Sequence, residues 1–505
     1  MKNKQMKKPL IYLLLLIIHL GAMAQTKSYK RGVGYGYHSE TDMQQFSSFL
    51  SWWYNWAAQP DVAIRNTYQN FGVDFTPMAW NAQGITAVNT WVTSDENIKY
   101  ILGFNEPNFK DQANMTPTQA VAAWENLQNI AANNGLELVA PAVNYCGSCV
   151  QENGTTYTNP FTYLDDFFEA CTGCQIDYLA LHWYGGGASM PGYIDDARKY
   201  GKKIWVTEFA AWDNSVTNAA AQYQYLAGTV NFLERDPDIY RYAWFIGRTS
   251  AGINTYPYID LYADDGELTP LGELYHDIPV YDSMQRFTVP GRIEVEEYYR
   301  MKGLFSEITS DTDGFLNIGW TDAGDWADYK ITVQNSGMHT LKARVSGTSS
   351  GTINFLVDNQ QLATLNTPST GGWQSWRTVN VQLNLEPGEH LLRMYVKKAG
   401  FNINWMELVE GEVSASEFKW LKASIFPNPV ADRIIHVYLP TNEFGSIYRC
   451  SLTNELGQLV FADWVKATST NLQINLNSLY PLPPGIYFLD VVGKTCRARE
   501  KLIIK

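Results

Sequence analysis

The run YILGFN at residues 100–105, followed by TPTQAVAAWENLQNIAAN at 116–133 and ELVAPAV at 137–143, sets the fold of the first half of the chain. The two outer runs are largely apolar, as expected of strands that are buried on both faces. The middle run starts with Thr-Pro, contains mostly helix-forming residues and is followed by Gly135, so it predicts a helix. Strand, helix and strand in succession form one βαβ unit.

The same alternation extends to both sides of this unit. Eight short apolar runs, separated by segments that can hold helices, are typical of a (β/α)8 TIM barrel of about 250 residues. A doubly wound open sheet is the alternative fold. The segment LTPLGELYHDI at 268–278 predicts a closing turn and helix. The eight runs are 32–37, 50–55, 74–80, 100–105, 137–143, 176–182, 203–208 and 242–246.

The pattern of apolar and polar residues changes after Pro290. Short alternating runs at 329–333, 339–345, 352–357 and 390–396 predict a jelly-roll-like β-sandwich. A small Ig-like β domain follows and ends in a basic strand. The fold class is therefore α/β with two appended β domains. The predicted divisions are a signal peptide at 1–24, a barrel at 28–280, a sandwich at 291–411 and a C-terminal domain at 420–505.

The N-terminus and the charge restrict the setting of the protein. Four lysines among the first eight residues precede an apolar run at 10–20 that is too short to span a bilayer, and Ala22-Met23-Ala24 offers a cleavage site. This pattern predicts export, with an uncleaved anchor as the alternative. A net charge of −13 and the lack of later basic runs argue against nucleic acid as a partner. The 17 Trp and 31 Tyr indicate either large cores or stacking on sugars.

Two predicted strands end in a glutamate. Run four ends in Gly-Phe-Asn-Glu-Pro with Glu106, and run seven ends in Trp-Val-Thr-Glu-Phe with Glu208. The active site of a parallel barrel lies where the strands end, so both acids belong to the same face. Glycoside hydrolysis needs such a pair, one protonated and one ionised. The alternative is that each glutamate forms a surface ion pair.

These two motifs resemble those of the large clan of retaining barrel glycosidases. The resemblance implies that Glu106 is the acid/base, that Glu208 is the nucleophile, and that Asn105 binds the 2-hydroxyl of the sugar. Further strand-end motifs make residues 30–278 similar to glycoside hydrolase family 128, which implies endo-β-1,3-glucanase activity without a catalytic cofactor. His182 would then hold Glu208 or a sugar hydroxyl, unless it is a core histidine. The expected cleft aromatics, each with core packing as its alternative, are Tyr54, Trp56, Trp80, Trp183, Tyr184 and Trp244.

The cysteines of the first domain form two C-x-x-C pairs. Cys146 and Cys149 follow strand five, whereas Cys171 and Cys174 precede strand six at the opposite face. A strand of six or seven residues spans roughly 20 Å, too far for one zinc ion or for cross-pairing. Two local disulfides are therefore expected, with free thiols or zinc as alternatives. Cys450 is expected to pair with Cys496 in the last domain.

The sandwich region resembles a family-6 carbohydrate-binding module between about 292 and 410. Its motifs include Asn-Ile-Gly-Trp at 317–320, Gly-Gly-Trp at 371–373 and Phe-Asn-Ile-Asn-Trp at 401–405. The resemblance implies that Trp320 and Trp373 clamp a sugar ring and that Asn404 fixes its hydroxyls. The family usually has Tyr at the position of Trp320. Glu294, Glu296 and Glu407 match a structural calcium site, with solvated acids as the alternative.

The last domain resembles a type IX secretion sorting domain. Its marks are Phe-Pro-Asn-Pro at 426–429, Asn-Glu-Leu-Gly at 454–457 and Pro-Gly-Ile-Tyr-Phe at 484–488. The resemblance implies that type IX secretion machinery is a partner and that the protein is released or held at the outer-membrane surface. A plain Ig-like spacer is the alternative.

The sequence thus predicts a secreted, monomeric retaining hydrolase of β-1,3-glucan. Two alternatives stay open. The first is a hydrolase of the same clan that acts on another polysaccharide, such as a β-1,4- or β-1,6-glucan or an algal galactan. The second is a carbohydrate-binding surface protein without turnover.

Overall fold

The computed structural model describes residues 27–211, 216–249, 258–411, 419–420, 422–430, 433–439, 447–467, 471–476, 482–493 and 496–505. The predicted signal peptide at 1–24 lies outside these residues. The chain divides into two compact units, with the change at Leu408–Val409 and with Gly337–Thr340 assigned to the second unit. Among the described residues, no helix is both long and apolar enough to cross a membrane.

Eight parallel strands form the sheet of the first domain. All eight apolar runs overlap one of these strands, which pair in the order β3-β2-β1-β10-β9-β8-β5-β4. The outer strands β3 and β4 meet through the parallel bridge Met78–Leu102, so the sheet curls back on itself. The strands are β1 (Arg31–Gly34), β2 (Trp52–Tyr54), β3 (Asp74–Phe75), β4 (Tyr100–Leu102), β5 (Glu137–Val139), β8 (Tyr178–Trp183), β9 (Lys203–Phe209) and β10 (Ile239–Phe245), with β6 (Gln151–Glu152) and β7 (Thr155–Thr156) as a separate hairpin.

Helices surround this curled sheet, which we call the parallel-sheet domain (residues 27–278). The predicted helix at 116–133 is α3, with Thr116 as its N-cap and Gly135 as its left-handed C-cap. One core lies between the sheet and the helices, and a second lies inside the sheet around Trp52, Tyr100 and Trp205. The helices are α1 (Glu40–Phe46), α2 (Ile85–Val92), α3 (Pro117–Asn134), α4 (Pro160–Ala170), α5 (Met190–Ala197), α6 (Ala219–Arg235) and α7 (Pro270–Asp277).

Both C-x-x-C pairs form local disulfides, as predicted. The Cα atoms of Cys146 and Cys149 are 5.6 Å apart, and those of Cys171 and Cys174 are 5.3 Å apart. Both separations lie within the range that a disulfide needs. The first bridge pins the loop after β5, on the face where the strands end.

The antiparallel module (residues 287–410) consists of two facing sheets around one apolar core. Its first sheet has the order β11-β16-β21-β18-β19, with β13 paired to β16, and its second has the order β14-β15-β22-β17-β20, with β12 paired to β22. The strands are β11 (Phe287–Val289), β12 (Gly291–Glu294), β13 (Arg300–Lys302), β14 (Phe305–Ile308), β15 (Leu316–Gly319), β16 (Trp326–Val333), β17 (Gly337–Gly347), β18 (Gly351–Val357), β19 (Gln360–Thr367), β20 (Gly372–Leu385), β21 (Gly388–Lys398) and β22 (Asn402–Glu410).

The C-terminal module is a further pair of β-sheets with its own core. Cys450 is buried there, and burial raises the pKa of its thiol to about 12. The side chain of Cys496 lies outside the described residues, as does the proposed pairing of the two. The strands are β23 (Lys419–Trp420), β24 (Ser424–Phe426), β25 (Ile434–Tyr438), β26 (Ile447–Asn454), β27 (Leu459–Lys466), β28 (Asn471–Asn475), β29 (Gly485–Val492) and β30 (Cys496–Ile504).

Candidate active site

Glu208 and His182 are neighbours across two adjacent strands. Glu208 lies in β9 and His182 in β8, and a register shift after Leu181 places His182 directly beside Glu208. Such irregularities re-aim side chains near functional sites. Without this shift, His182 would face Thr207.

Glu106 reaches the same place from the end of β4. Its backbone N–H donates to the carbonyl oxygen of Ala142 at 2.8 Å, which ties it to the segment after β5. Its φ of 41° lies in the left-handed region, an unusual conformation for a residue with a side chain. Non-glycine residues in this region cluster at functional sites.

The imidazole of His182 joins the two acids. Its Nδ1 lies 2.9 Å from Glu106 Oε1 and 3.3 Å from Glu208 Oε2. One oxygen of each glutamate and one nitrogen of His182 all lie within 4.8 Å of one another. The structure therefore brings together the two acids that the sequence placed at one face, and it adds a shared basic group.

Three aromatic side chains donate hydrogen bonds to Glu208. Trp56 Nε1 donates to Oε1 at 2.6 Å, the hydroxyl of Tyr54 donates to the same oxygen at 3.2 Å, and the hydroxyl of Tyr184 donates to Oε2. An indole nitrogen can only donate, so this arrangement favours the ionised form of Glu208.

Burial and charge shift the acid–base properties of this group. Burial raises the pKa of Glu208 above its usual value, and the charge of Glu106 adds to this effect, whereas His182, Tyr184 and Trp56 counteract it. Burial opposes protonation of His182, but the two carboxylates outweigh that effect and raise the pKa of the imidazole.

The acids lie in a cavity of about 390 Å³. Trp56, Trp80 and Tyr184 line it as expected, as does Asn105. Asn105 Oδ1 has no hydrogen-bond partner in the described structure although it is buried, so it is available to a ligand hydroxyl. Gln112, Phe245 and Ile246 complete the lining.

Three of the expected cleft aromatics have other positions. Trp244 is fully buried, and its Nε1 donates to the carbonyl oxygen of Ile259 at 2.8 Å, so it packs in the core. Trp183 is 9% exposed and does not line the cavity. Tyr54 is fully buried beneath the cleft, where it holds Glu208 rather than offering a stacking face.

Asn144 is a site residue that the motifs did not reveal. Its Nδ2 donates to Glu106 Oε1 at 3.2 Å, and the residue stands just before the Cys146–Cys149 bridge. It directly follows the predicted run at 137–143, so the strand-end rule that found the glutamates could also have found it.

The antiparallel module has a pocket of about 320 Å³ between two exposed tryptophans. Trp320 and Trp373 are 51% and 48% exposed, as a sugar clamp requires, and Glu307, Thr321 and Asn402 complete the lining. Trp320 has a φ of 50°, so its backbone, like that of Glu106, is in the left-handed region.

Asn402, and not the expected Asn404, is the amide in this pocket. Asn402 Nδ2 donates to Glu307 Oε1 at 2.9 Å and to the carbonyl oxygen of Trp373 at 3.0 Å. Asn404 is fully buried and donates to Asp311 Oδ2 at 3.0 Å. The two residues are two positions apart on one strand and so share a face, and only Asn402 lies at the pocket end.

Two of the three acids of the expected calcium site form ion pairs. Glu294 pairs with Arg292, and Glu407 pairs with Lys342 at 2.8 Å. Glu296 is buried, its Oε2 has no hydrogen-bond partner in the described structure, and burial raises its pKa to about 8. Calcium at Glu296 therefore stays a prediction, with hard oxygen donors as the supporting chemistry.

Comparisons with known proteins agree with this division of the chain. Residues 32–275 match the family described as the glycosyl hydrolase catalytic core. The GH128 (subgroup II) endo-β-1,3-glucanase of Pseudomonas viridiflava is 39% identical to this chain. The match covers 50% of this chain and 100% of the Pseudomonas structure (TM-score 0.46). The chain belongs to glycoside hydrolase family 128. A subgroup I endo-β-1,3-glucanase of Amycolatopsis mediterranei, solved with laminaritriose, is 28% identical to this protein. The match covers 49% of this protein and 99% of the Amycolatopsis chain (TM-score 0.40).

The two β modules also match known families. Residues 294–410 match carbohydrate-binding module family 6, and residues 424–505 match the secretion system C-terminal sorting domain. The sorting domain indicates secretion or a cell-surface location. The family 128 chain is also similar to alkali-sensitive linkage protein 1 of Schizosaccharomyces pombe, with 27% identity over 235 residues, and it spans 40% of the length of that protein.

Proposed function

We propose that this family 128 protein is a retaining endo-β-1,3-glucanase. The observation that carries the proposal is the approach of one oxygen of Glu106 to one oxygen of Glu208 within 4.8 Å, in a cleft with aromatic walls. Retaining enzymes hold their carboxyl groups about 5–5.5 Å apart, whereas inverting enzymes leave room for a water between them. The substrate follows from the endo-β-1,3-glucanases to which the chain is similar.

The hydrogen bonds assign a role to each acid. Glu208 accepts donors from Tyr54, Trp56 and Tyr184 and is the ionised nucleophile that attacks the anomeric carbon. Glu106 protonates the leaving oxygen, which breaks the glycosidic bond and forms a glycosyl ester on Glu208. Glu106 then takes a proton from a water molecule, and that water hydrolyses the ester with net retention.

His182 and Asn144 position Glu106 in this scheme. Both contact Glu106 Oε1, at 2.9 and 3.2 Å, which leaves Oε2 for the proton that is transferred. The buried imidazole also limits the repulsion between the two acids. His182 Nε2 has no hydrogen-bond partner in the described structure.

Two variants test these roles. With an aryl β-glucoside whose leaving group needs no protonation, Glu106→Gln should keep most of its first-step rate, because only acid assistance is lost. Glu208→Gln should lose turnover on every substrate. The exposed residue Glu125 on α3 provides the matched control Glu125→Gln, which should behave as the wild type.

The stereochemistry and the linkage are tested on the unmodified protein. Proton NMR at early times should show the β-anomer as the first product of linear β-1,3-glucan. An α-anomer would exclude the retaining mechanism. A panel of pure β-1,3-, β-1,4- and β-1,6-glucans and algal galactan, assayed for new reducing ends, separates the proposed substrate from the alternatives. Lack of turnover on all of them would favour a binding protein.

A further inference from the structure

The C-terminal part of helix α6 of the parallel-sheet domain is buried on all sides. Every residue from Tyr225 to Arg235 is buried, including the polar Asn231 and Glu234. A helix on the outside of a sheet normally exposes its polar face. In this protein, the antiparallel module covers that face.

Polar contacts fix the module against α6. Asn231 Nδ2 donates to the carbonyl oxygen of Glu296 at 3.2 Å and to Ser306 Oγ at 3.1 Å. Arg235 Nη1 donates to the carbonyl oxygen of Tyr298 at 3.0 Å. These buried bonds have directions, so they restrict rotation of the module as well as its distance from the helix.

Close packing fills the rest of this contact. Gly228 faces β14 so closely that a methyl group added there would overlap the carbonyl oxygen of Ser306 and approach the ring of Phe305. Phe305 is only 6% exposed and belongs to the hydrophobic core of the parallel-sheet domain, although it lies in a strand of the module. The two domains therefore share a core.

The connection between the domains is also held in place. The hydroxyl of Tyr281 donates to the carbonyl oxygen of Tyr299 at 3.1 Å, and Lys330 Nζ donates to the carbonyl oxygen of Ser283 at 2.7 Å. The next residues form β11, which pairs with β16 of the module. No free linker separates the two domains within these described residues, and both belong to the same compact unit.

Phe305 also links the two sugar sites. Its ring packs edge-on against Trp320 of the module pocket, with centroids 5.3 Å apart. A Cβ atom added at Gly187 would lie 2.9 Å from the same ring. Gly187 stands three residues after Tyr184, whose hydroxyl holds Glu208, and three residues span at most about 11 Å. Phe305 therefore lies between Trp320 of the module pocket and the loop that follows Tyr184.

From this arrangement we propose that the cleft and the module pocket bind one polysaccharide chain at the same time, with a fixed spacing. The module then acts as a distal subsite of the enzyme and not as a tethered anchor. The inference rests on the proposed function for the identity of the polysaccharide. Two sites held without a flexible linker reach their highest effective concentration when their spacing matches the ligand, and linked sites gain about 10²–10⁴-fold in avidity.

Calorimetry on Glu208→Gln tests the inference without turnover. Short linear β-1,3-gluco-oligosaccharides should bind with two molecules per protein, one in each site. Above a threshold length the stoichiometry should fall to one, with an affinity that is about 100-fold higher. Two molecules per protein at every length would overturn the inference. If a polysaccharide that the wild type does not hydrolyse binds with a stoichiometry of one, that result contradicts the proposed function but not the inference of two linked sites.

Added substitutions identify the second site. In the Glu208→Gln background, Trp320→Ala should reduce the affinity for long chains to that for short ones, because only the cleft remains. Trp464→Ala removes a 66% exposed tryptophan from the C-terminal module and should keep the gain. Asn231→Ala should weaken the gain while single-site binding persists. If the gain survives Trp320→Ala, the module pocket is not the distal subsite.

Discussion

The cleft and the module pocket each place a carboxylate beside aromatic rings, but they hold it differently. Glu208 in the cleft accepts hydrogen bonds from an indole and two phenols. Glu307 in the pocket accepts three amide hydrogen bonds on its Oε1, from Asn317 at 3.1 Å, Gln374 at 2.8 Å and Asn402 at 2.9 Å. Both carboxylates are therefore oriented by neutral donors.

The difference lies in the second acid. In the cleft, Glu106 and His182 approach Glu208, and the described residues contain no other group of three His, Cys, Asp or Glu side chains that lie so close together. A single carboxylate can orient sugar hydroxyls, whereas hydrolysis needs an acid and a nucleophile together. Stacking surfaces are common to both sites, and we attribute the chemistry to the added Glu–His pair.

The largest expected effect comes from removing the charge at each site. Glu208→Gln should lower kcat by about 10⁴-fold or more, as for the loss of a nucleophile. Glu307→Gln should lower the affinity of the module pocket by about tenfold, because a charged hydrogen-bond acceptor becomes neutral. Initial rates on laminarin and binding to insoluble β-1,3-glucan measure the two effects. If both variants lost turnover equally, the contrast between the sites would be wrong.

Tyr184→Phe tests how the cleft holds Glu208, the proposed nucleophile. The hydroxyl of Tyr184 stabilises ionised Glu208 and so lowers a pKa that burial has raised. Its removal should raise that pKa further, and because the nucleophile must be ionised, the acidic limb of kcat/KM should move to higher pH. On that limb we expect kcat/KM to fall by about 10- to 100-fold.

The control for this experiment is Tyr37→Phe, because Tyr37 is 81% exposed. Its pH profile should match that of the wild type. A shift of the acidic limb to lower pH in Tyr184→Phe would mean that the hydroxyl does not stabilise the ionised carboxylate.

Substitutions of Asn402 and Asn404 test which of the two asparagines binds sugar in the antiparallel module. Asn402→Ala should weaken sugar binding about tenfold, because it removes a donor from the pocket. Asn404→Ala should keep the affinity but lower the free energy of unfolding by about 1–3 kcal/mol, because buried Asp311 loses a hydrogen bond. Calorimetric titration and thermal unfolding of both variants decide the matter. The opposite pattern would restore Asn404 as the ligand residue.

The smallest effect concerns calcium. If Glu296 holds Ca²⁺, millimolar CaCl₂ should raise Tm by about 5 °C, because a ligand that binds only the folded state stabilises it. Glu296→Gln should abolish this increment, whereas Glu386→Gln, at an exposed acid of the same module, should keep it. An equal increment in both variants would remove Glu296 from the calcium site.

Much of the fold could be predicted because the strands of the curled sheet are buried on both faces. Their apolar runs stand out, and the strand-end rule then places Glu106 and Glu208 at one face. The run at 74–80 was less accurate, since the strand ends at Phe75. Met78 beyond it still forms a bridge to Leu102, and Trp80 follows two residues later and lines the cleft.

The details of the sites depend on geometry that a pattern of residue types does not contain. The register shift that pairs His182 with Glu208 leaves no mark in an apolar run. Asn402 and Asn404 share a face, so alternation alone cannot tell which one meets the sugar. Trp244 lies near the end of β10 and Trp80 follows β3, but only the packing of the segment around Ile259 shows that Trp244 is enclosed.

Trp56, Glu106 and Trp320 all display their side chains from left-handed backbone, with φ values of 57°, 41° and 50°. Such conformations cost roughly 1–3 kcal/mol each for residues other than glycine. A laboratory selection for heat resistance alone would therefore favour glycine at these three positions. Each gain would remove an indole or a carboxylate from the cleft or the module pocket, so engineering of a more durable protein should exclude these codons from its libraries.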